Sequence, residues 1–216
     1  MLIHTKNLSL YYQDGQRTIH AVDKLNLNLP ERGLYGIIGP SGSGKTSVLY
    51  LLAGLRRQTD GEIFYEDAPY PSSIVGLNNL RRKEMGFVFQ SHFLIEYLNV
   101  LENILVGADD TYAASDERID YLIQELGISD LVDRNIDQLS GGQRQLVTIA
   151  RALANNPKVI FVDEPTSSLD HVTGKKVIQL LEKISKQACV VLVTHDETNL
   201  VHADHVFSIW DGRVKA

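Results

Sequence analysis

Four residues, Gly39, Gly44, Lys45 and Thr46, stand at the spacing G-x-x-x-x-G-K-[ST] within GPSGSGKT, residues 39–46, and Gly42 lies between them. Glycine accepts positive φ and carries no Cβ, so a loop holding three of them can wrap its backbone N–H groups closely around anionic oxygens. Lys45 supplies a point charge, Thr46 a hydroxyl suited to Mg2+, and the positive end of a helix starting here adds favourable field. Pro40, Ser41, Ser43 and Ser47 complete the segment. The chemistry implied is capture of a nucleoside triphosphate by its phosphates.

A second group surrounds VIFVDE at 159–164, where four apolar residues run into Asp163 and Glu164. Two carboxylates at the C-terminal end of a buried strand lie where α/β sheets place their ligands. Asp163 is placed to hold Mg2+ through water, and Glu164 to accept a proton from an attacking water. Gln90, at the end of GFVFQ, and His195, at the end of VVLVTH, emerge from apolar runs toward the same sheet edge. Gln90 can reach Mg2+ or the water. His195 can hydrogen-bond the terminal phosphate, orient the water, or both. His202 and His205 follow closely, but without a cysteine cluster they do not read as a zinc site.

These groups need a scaffold. Residues 2–10 and 22–29 alternate apolar and polar positions, expected as two antiparallel strands joined through a turn at Gly15. LYGIIG at 34–39 suits a buried strand, and Lys45 to Leu55 has helical spacing, giving strand, glycine loop, helix. Gly61–Tyr65 and Met85–Phe89 are further strand candidates. Between Ser91 and Pro157 the apolar period is helical, whereas Val159–Val162 and Val190–Val193, separated by a helix over 171–186, form a β-α-β unit. VFSIWDGRVKA reads as a hairpin turning at Asp211-Gly212.

A chain of 216 residues, 44% hydrophobic and 22% charged, has the composition of a globular domain with room for a lobe. No apolar run approaches the roughly 18 residues of a membrane span, and the N-terminus lacks the pattern of a secretory signal, so a cytoplasmic location is expected. Cys189, the single cysteine, sits in ACVVLV and reads as a core residue. A net charge of −6 argues against a nucleic-acid partner. The short basic clusters Arg56-Arg57 and Arg81-Arg82-Lys83 read as helix ends or loops.

One more segment, LSGGQ at 139–143, lies ahead of the acidic strand. Taken with GPSGSGKT, Gln90, VIFVDE, the loop Ser167 to Asp170 and His195, it resembles the ABC transporter nucleotide-binding domain over essentially the whole chain. These correspond to that family's Walker A, signature, Q-loop, Walker B, D-loop and H-loop. The resemblance implies an α/β fold with a P-loop NTPase, RecA-like core of mainly parallel strands. It further implies an antiparallel N-terminal β-subdomain, a catalytic lobe over 1–90 and 156–216, and a helical lobe over 91–155. It implies ATP and Mg2+ as cofactors, with Tyr12, or its neighbour Tyr11, stacking on adenine.

Ser140 and the amides of Gly141 and Gly142, followed by Gln143, begin a helix and so form a second anion site. In the family that site faces the phosphates held by another subunit, with Asp170 at the same junction. The resemblance therefore implies a head-to-tail dimer, a homodimer if both subunits are this chain, with two composite ATP sites. It also implies a separate transmembrane permease through which the protein would touch the inner face of the membrane. HFLIEYLNVLENILVG and LSGGQRQLVTIARAL are similar to the LolD/MacB group of export and lipoprotein-release systems. Leu146, Ser168 and Ser47 depart from the common residues without removing a catalytic group. Two other readings are a cytosolic ABC ATPase of translation or DNA repair, for which no sustained heptads or second cassette appear, and a non-hydrolytic regulator, which Glu164 and His195 argue against.

Overall fold

The computed structural model describes residues 1–15, 17–108 and 116–215. Gln16 of the expected Gly15 turn, residues 109–115 of the expected helical stretch, and Ala216 lie outside the described residues. Two sheets organise the chain. In the first, β1 (Ile3–Asp14) pairs antiparallel with β2 (Arg17–Leu25), with the short β3 (Asn28–Leu29) and with β5 (Asp60–Tyr65), and β6 (Ala68–Pro69) extends β5.

The expected strand over 22–29 is thus two strands. Lys24 turns through positive φ, and the Thr5 hydroxyl fills the break, donating to the Leu25 carbonyl and accepting the Leu27 N–H, both at 2.9 Å. A side chain replaces the ladder where the backbone cannot continue it.

The second sheet runs β11-β10-β4-β9-β8-β7. Its strands β4 (Gly33–Ile38), β7 (Met85–Val88), β8 (Val159–Asp163), β9 (Cys189–Val193) and β10 (His205–Trp210) are parallel; β11 (Arg213–Val214) returns antiparallel through the Asp211-Gly212 turn. Around it stand α1 (Lys45–Leu52), α2 (Ile74–Glu84), α3 (Val100–Leu105), α4 (Asp116–Glu125), α5 (Gly141–Leu153) and α6 (His171–Ser185).

At the centre of this sheet both faces are buried, so β9 runs apolar from end to end and β8 as far as Asp163, and the central side chains divide with period two, whereas β10 and β11 at the edge are mostly exposed. Val159, Phe161, Cys189, Val191, Val193, Tyr35 and Ile37 join a core with α1 and the antiparallel sheet. Ile160, Val162, Val190, Leu192 and Leu34 join another with α3, α4, α5 and α6. Burial pushes the Cys189 thiol up to about 12, as befits a packing residue.

Three local differences from the sequence reading have physical causes. The helix from Lys45 stops at Leu52 rather than Leu55, because Gly54 turns through φ 62° and ends it. The strands expected to carry Gln90 and His195 end at Val88 and Val193, so each side chain lies in a loop two residues past its strand. Helix α2 has no expected counterpart beyond the basic cluster read as a helix end or loop; none of its residues is fully buried and of its apolar side chains only Leu77 and Leu80 turn partly inward, so its apolar period is weak. Its last turn carries Arg81, Arg82 and Lys83, and Arg81 donates to the Gly54 carbonyl and the Asn78 side chain.

Candidate nucleotide site

The glycine loop joins β4 to α1, and Gly44 is the N-cap of that helix at φ 100°, a conformation glycine tolerates. No side chain caps α1, so its first-turn N–H groups keep their donors for another partner. Gly42, at φ 78°, has nothing within 4 Å of where a Cβ would stand, so the loop opens outward there. Lys45 folds back, its ammonium donating to the carbonyls of Gly39 and Pro40 at 2.9 Å each. The Ser43 hydroxyl is buried without a partner. Unclaimed donors, an open glycine wall and a cation held by weak carbonyl acceptors fit a phosphate chain.

The alternation that sorts the core also aims the acids. Asp163 shares the face of Val159 and Phe161, toward α1, where Thr46 donates to its carboxylate at 3.1 Å. Asp163 is 3% exposed, and burial raises its pKa, opposed by the Thr46 hydrogen bond and Lys45 and reinforced by Glu164. A desolvated carboxylate beside a hydroxyl is an all-oxygen donor set suited to a hard cation such as Mg2+.

Glu164 leaves the strand in the left-handed region, φ 50°, with its N–H bonded to the Val193 carbonyl at 3.0 Å. That turn swings its carboxylate to His195, whose Nδ1 lies 2.9 Å from both Oε1 and Oε2. The Glu164 side chain is 14% exposed and that of His195 74%. The carboxylate raises the imidazole pKa through the hydrogen bond and through charge. Gln90 is exposed in the loop after β7, whose Val88 pairs with Val162, so it leaves the sheet beside the two acids.

The signature residues stand elsewhere, at the start of α5. Ser140 accepts the Gln143 N–H at 3.2 Å and Gln143 accepts the Ser140 N–H at 2.9 Å, a reciprocal capping box. Asp170 caps α6 by accepting the N–H groups of Val172 and Thr173. Ser140, Gly141, Gly142, Gln143, Ser168 and Asp170 line one opening of about 400 Å3. The structure therefore gathers Lys45, Thr46, Asp163, Glu164 and His195 in one place and Ser140, Gly141, Gly142 and Gln143 with the Asp170 loop in another.

The half-buried Tyr12 has the Arg56 guanidinium 4.8 Å from its ring centre, a cation–π contact. Tyr11 instead packs on His20 at 4.3 Å. Two features escape a motif search. The Gly212 N–H donates to the Ser43 carbonyl at 3.0 Å while its own carbonyl accepts the Asp23 N–H at 2.9 Å, tying the phosphate loop to the C-terminal hairpin. Arg213 then grips Asp23, at 2.9 Å from Nε and 2.6 Å from an Nη. The turn dipeptide was legible as a turn; its grip on the loop depends on tertiary contacts alone.

An uncapped helix behind a glycine loop, with a paired hydroxyl and carboxylate at the neighbouring strand end, defines a P-loop nucleoside triphosphatase. The family described as ABC transporter matches residues 22–167, and the chain belongs to that family as an ATP-binding subunit and ATPase. An uncharacterised ABC transporter ATP-binding protein of Methanocaldococcus jannaschii, MJ0796, is 38% identical over 99% of this chain and 95% of its own length. The macrolide export ATP-binding/permease protein MacB 2 of Aeromonas hydrophila is 36% identical, across 99% of this chain but 34% of that longer protein. The solved dimeric post-hydrolysis structure of MJ0796 with ADP and Pi superposes with a TM-score of 0.92 at 35% identity, covering 100% of this chain and 97% of that one. The resemblance to LolD/MacB-type cassettes follows.

Proposed function

We propose that this ATPase works as a head-to-tail homodimer that closes around two Mg·ATP and drives a separate export-type permease. The observation carrying this reading is the separation of the two half-sites on one chain. Each lacks what the other offers, so a second copy completes both. That the MJ0796 cassette is dimeric with ADP and Pi bound supports a dimer here.

In each composite site the loop 39–47 and the start of α1 hold the phosphates, and Tyr12 receives the adenine. Thr46, Asp163 and, from its loop, Gln90 supply oxygen for Mg2+, which when bound neutralises charge on the phosphate oxygens. Glu164 takes the proton of the attacking water, while His195 fixes the carboxylate and faces the terminal phosphate. Ser140, Gly141 and Gly142 cap the nucleotide of the partner copy. The segments 1–90 with 156–216 and 91–155 act as catalytic and helical lobes.

None of the described helices is long and apolar enough to cross a membrane. Beyond Gln90, Phe93 and Tyr97 are 68% and 87% exposed, an aromatic surface suited to a permease partner at the inner membrane face. Glu164→Gln tests the core of the proposal. The variant is expected to bind ATP, lose about 100-fold or more of turnover, and sediment as a dimer only with ATP. Undiminished turnover would remove Glu164 as the base. Charged residues at Phe93 and Tyr97 should abolish co-purification with the permease while leaving ATP binding intact.

A further inference from the structure

We propose that Asn199 is a positioning residue for the Glu164–His195 pair, a proposal that rests on reading that pair as the water-activating unit. Glu164 and His195 lie in different loops, the first following β8 and the second following β9. The pair can hold its geometry only if those loops keep a fixed separation. The backbone does part of this through the Glu164 N–H on the Val193 carbonyl. The rest falls to side chains behind the pair.

Thr194 precedes His195 and is wholly buried; Thr166 follows Glu164 by two residues. The Asn199 amide reaches both, Nδ2 lying 3.3 Å from Thr166 Oγ1 and 3.4 Å from Thr194 Oγ1. One planar group thus spans the two loops that carry the pair. Its own place is fixed from three sides. The Asn199 N–H bonds to the Asp196 carbonyl at 3.1 Å, and the Asp196 N–H bonds to Thr194 Oγ1 at 3.1 Å. Leu200, the next residue, lies so close to β4 that a Cβ on Gly36 would come within 2.6 Å of it.

The bridge has a directional logic. In the loop after β9, Thr194 is wholly buried while His195 is exposed and turned to Glu164, so the two neighbours face different surroundings. Asn199 therefore braces the pair indirectly, through Thr166 and Thr194. It sets distance and contributes no proton or charge. A misplacement of about 1 Å at a reacting pair is enough to slow chemistry substantially.

The test compares Asn199→Ala, Asn199→Asp and Thr194→Val in the full chain, by steady-state ATPase and by crystal structures. Asn199→Ala should lower kcat about tenfold with KM for ATP within about twofold, because binding groups are untouched. Asp can accept from both threonine hydroxyls at the same length, so Asn199→Asp should recover most of the rate. Adding Thr194→Val to Asn199→Ala should cost less than the product of the single losses, since both break one bridge and the second change adds only the lost Asp196 N–H bond to Thr194. In the Asn199→Ala structure the His195–Glu164 contact should open beyond hydrogen-bonding range.

A contact still closed in that structure, unchanged kcat, loss in Asn199→Asp equal to that in Asn199→Ala, or fully multiplicative losses would each overturn the proposal. Glu164→Gln, assayed alongside, separates the two failures. Full turnover there would remove the pair from the chemistry, while the crystallographic distance judges the bridge on its own.

Discussion

His195 Nδ1 stands 2.9 Å from both carboxylate oxygens of Glu164, an interaction made possible by the left-handed backbone at Glu164. Glu164 dominates the rise in the His195 pKa; Asp196 adds to it, and Lys45 and desolvation oppose it. A raised pKa means the folded protein holds this proton more tightly than the unfolded chain does. The resulting stabilisation is complete below the unfolded value of about 6.5 and is lost as pH rises through the folded value. The urea midpoint of Glu164→Gln should therefore fall further below wild type at pH 6 than at pH 9.

The Asp23–Arg213 contact titrates with the opposite sign. The Arg213 hydrogen bond lowers the Asp23 pKa, desolvation opposes it, and the charges of Arg213, His20 and Lys24 add to the lowering. Its stabilisation is present above the unfolded value of about 3.9 and is lost as pH falls through the folded one. Arg213→Gln should be less stable than wild type at pH 7, and the two unfolding midpoints should converge on acidification.

Gly212 carries two demands, a φ of 75° and space against the Ala21 carbonyl oxygen, 2.8 Å from where a Cβ would sit. Gly212→Ala should cost about 1–3 kcal/mol in thermal or urea unfolding. Because Gly212 bonds Ser43, the loss should extend to nucleotide affinity, read as a raised KM for ATP or weakened binding of a fluorescent analogue.

Ser140→Ala removes one arm of the capping box on α5 and should destabilise the protein by about 1 kcal/mol. ATP binding to a single chain should be unaffected, while turnover and ATP-driven dimer formation fall. Weaker binding of ATP by the isolated monomer would place Ser140 in its own chain's site instead.

The parallel strands were readable because burial on two faces writes uninterrupted apolar runs, and the phosphate loop because its glycines and Lys45 have few alternative uses. The capping box at Ser140 and Gln143 is similarly local. Helix α2 left only its basic end to read, since an element with no fully buried residue imposes a weak period. Thr5 mending the β2–β3 break, Gly212 gripping Ser43 and Asn199 spanning two loops were illegible for another reason. Each depends on residues far apart in the chain whose types are ordinary taken singly. Gln90 and His195 each stand two residues past a strand end: apolar Phe89 carries the first run beyond β7, whereas the expected end of β9 at Val193 coincides with the observed one.

The hydrogen bonds of Gly212 also set an order of events during synthesis. Ser43 is made early, yet its carbonyl waits for a donor that emerges from the ribosome almost 170 residues later. The strand that delivers this donor, β10, pairs directly with β4. Until Gly212 is in place the phosphate loop lacks this tether, so a loop in the domain's first half is completed by a hairpin far along the chain.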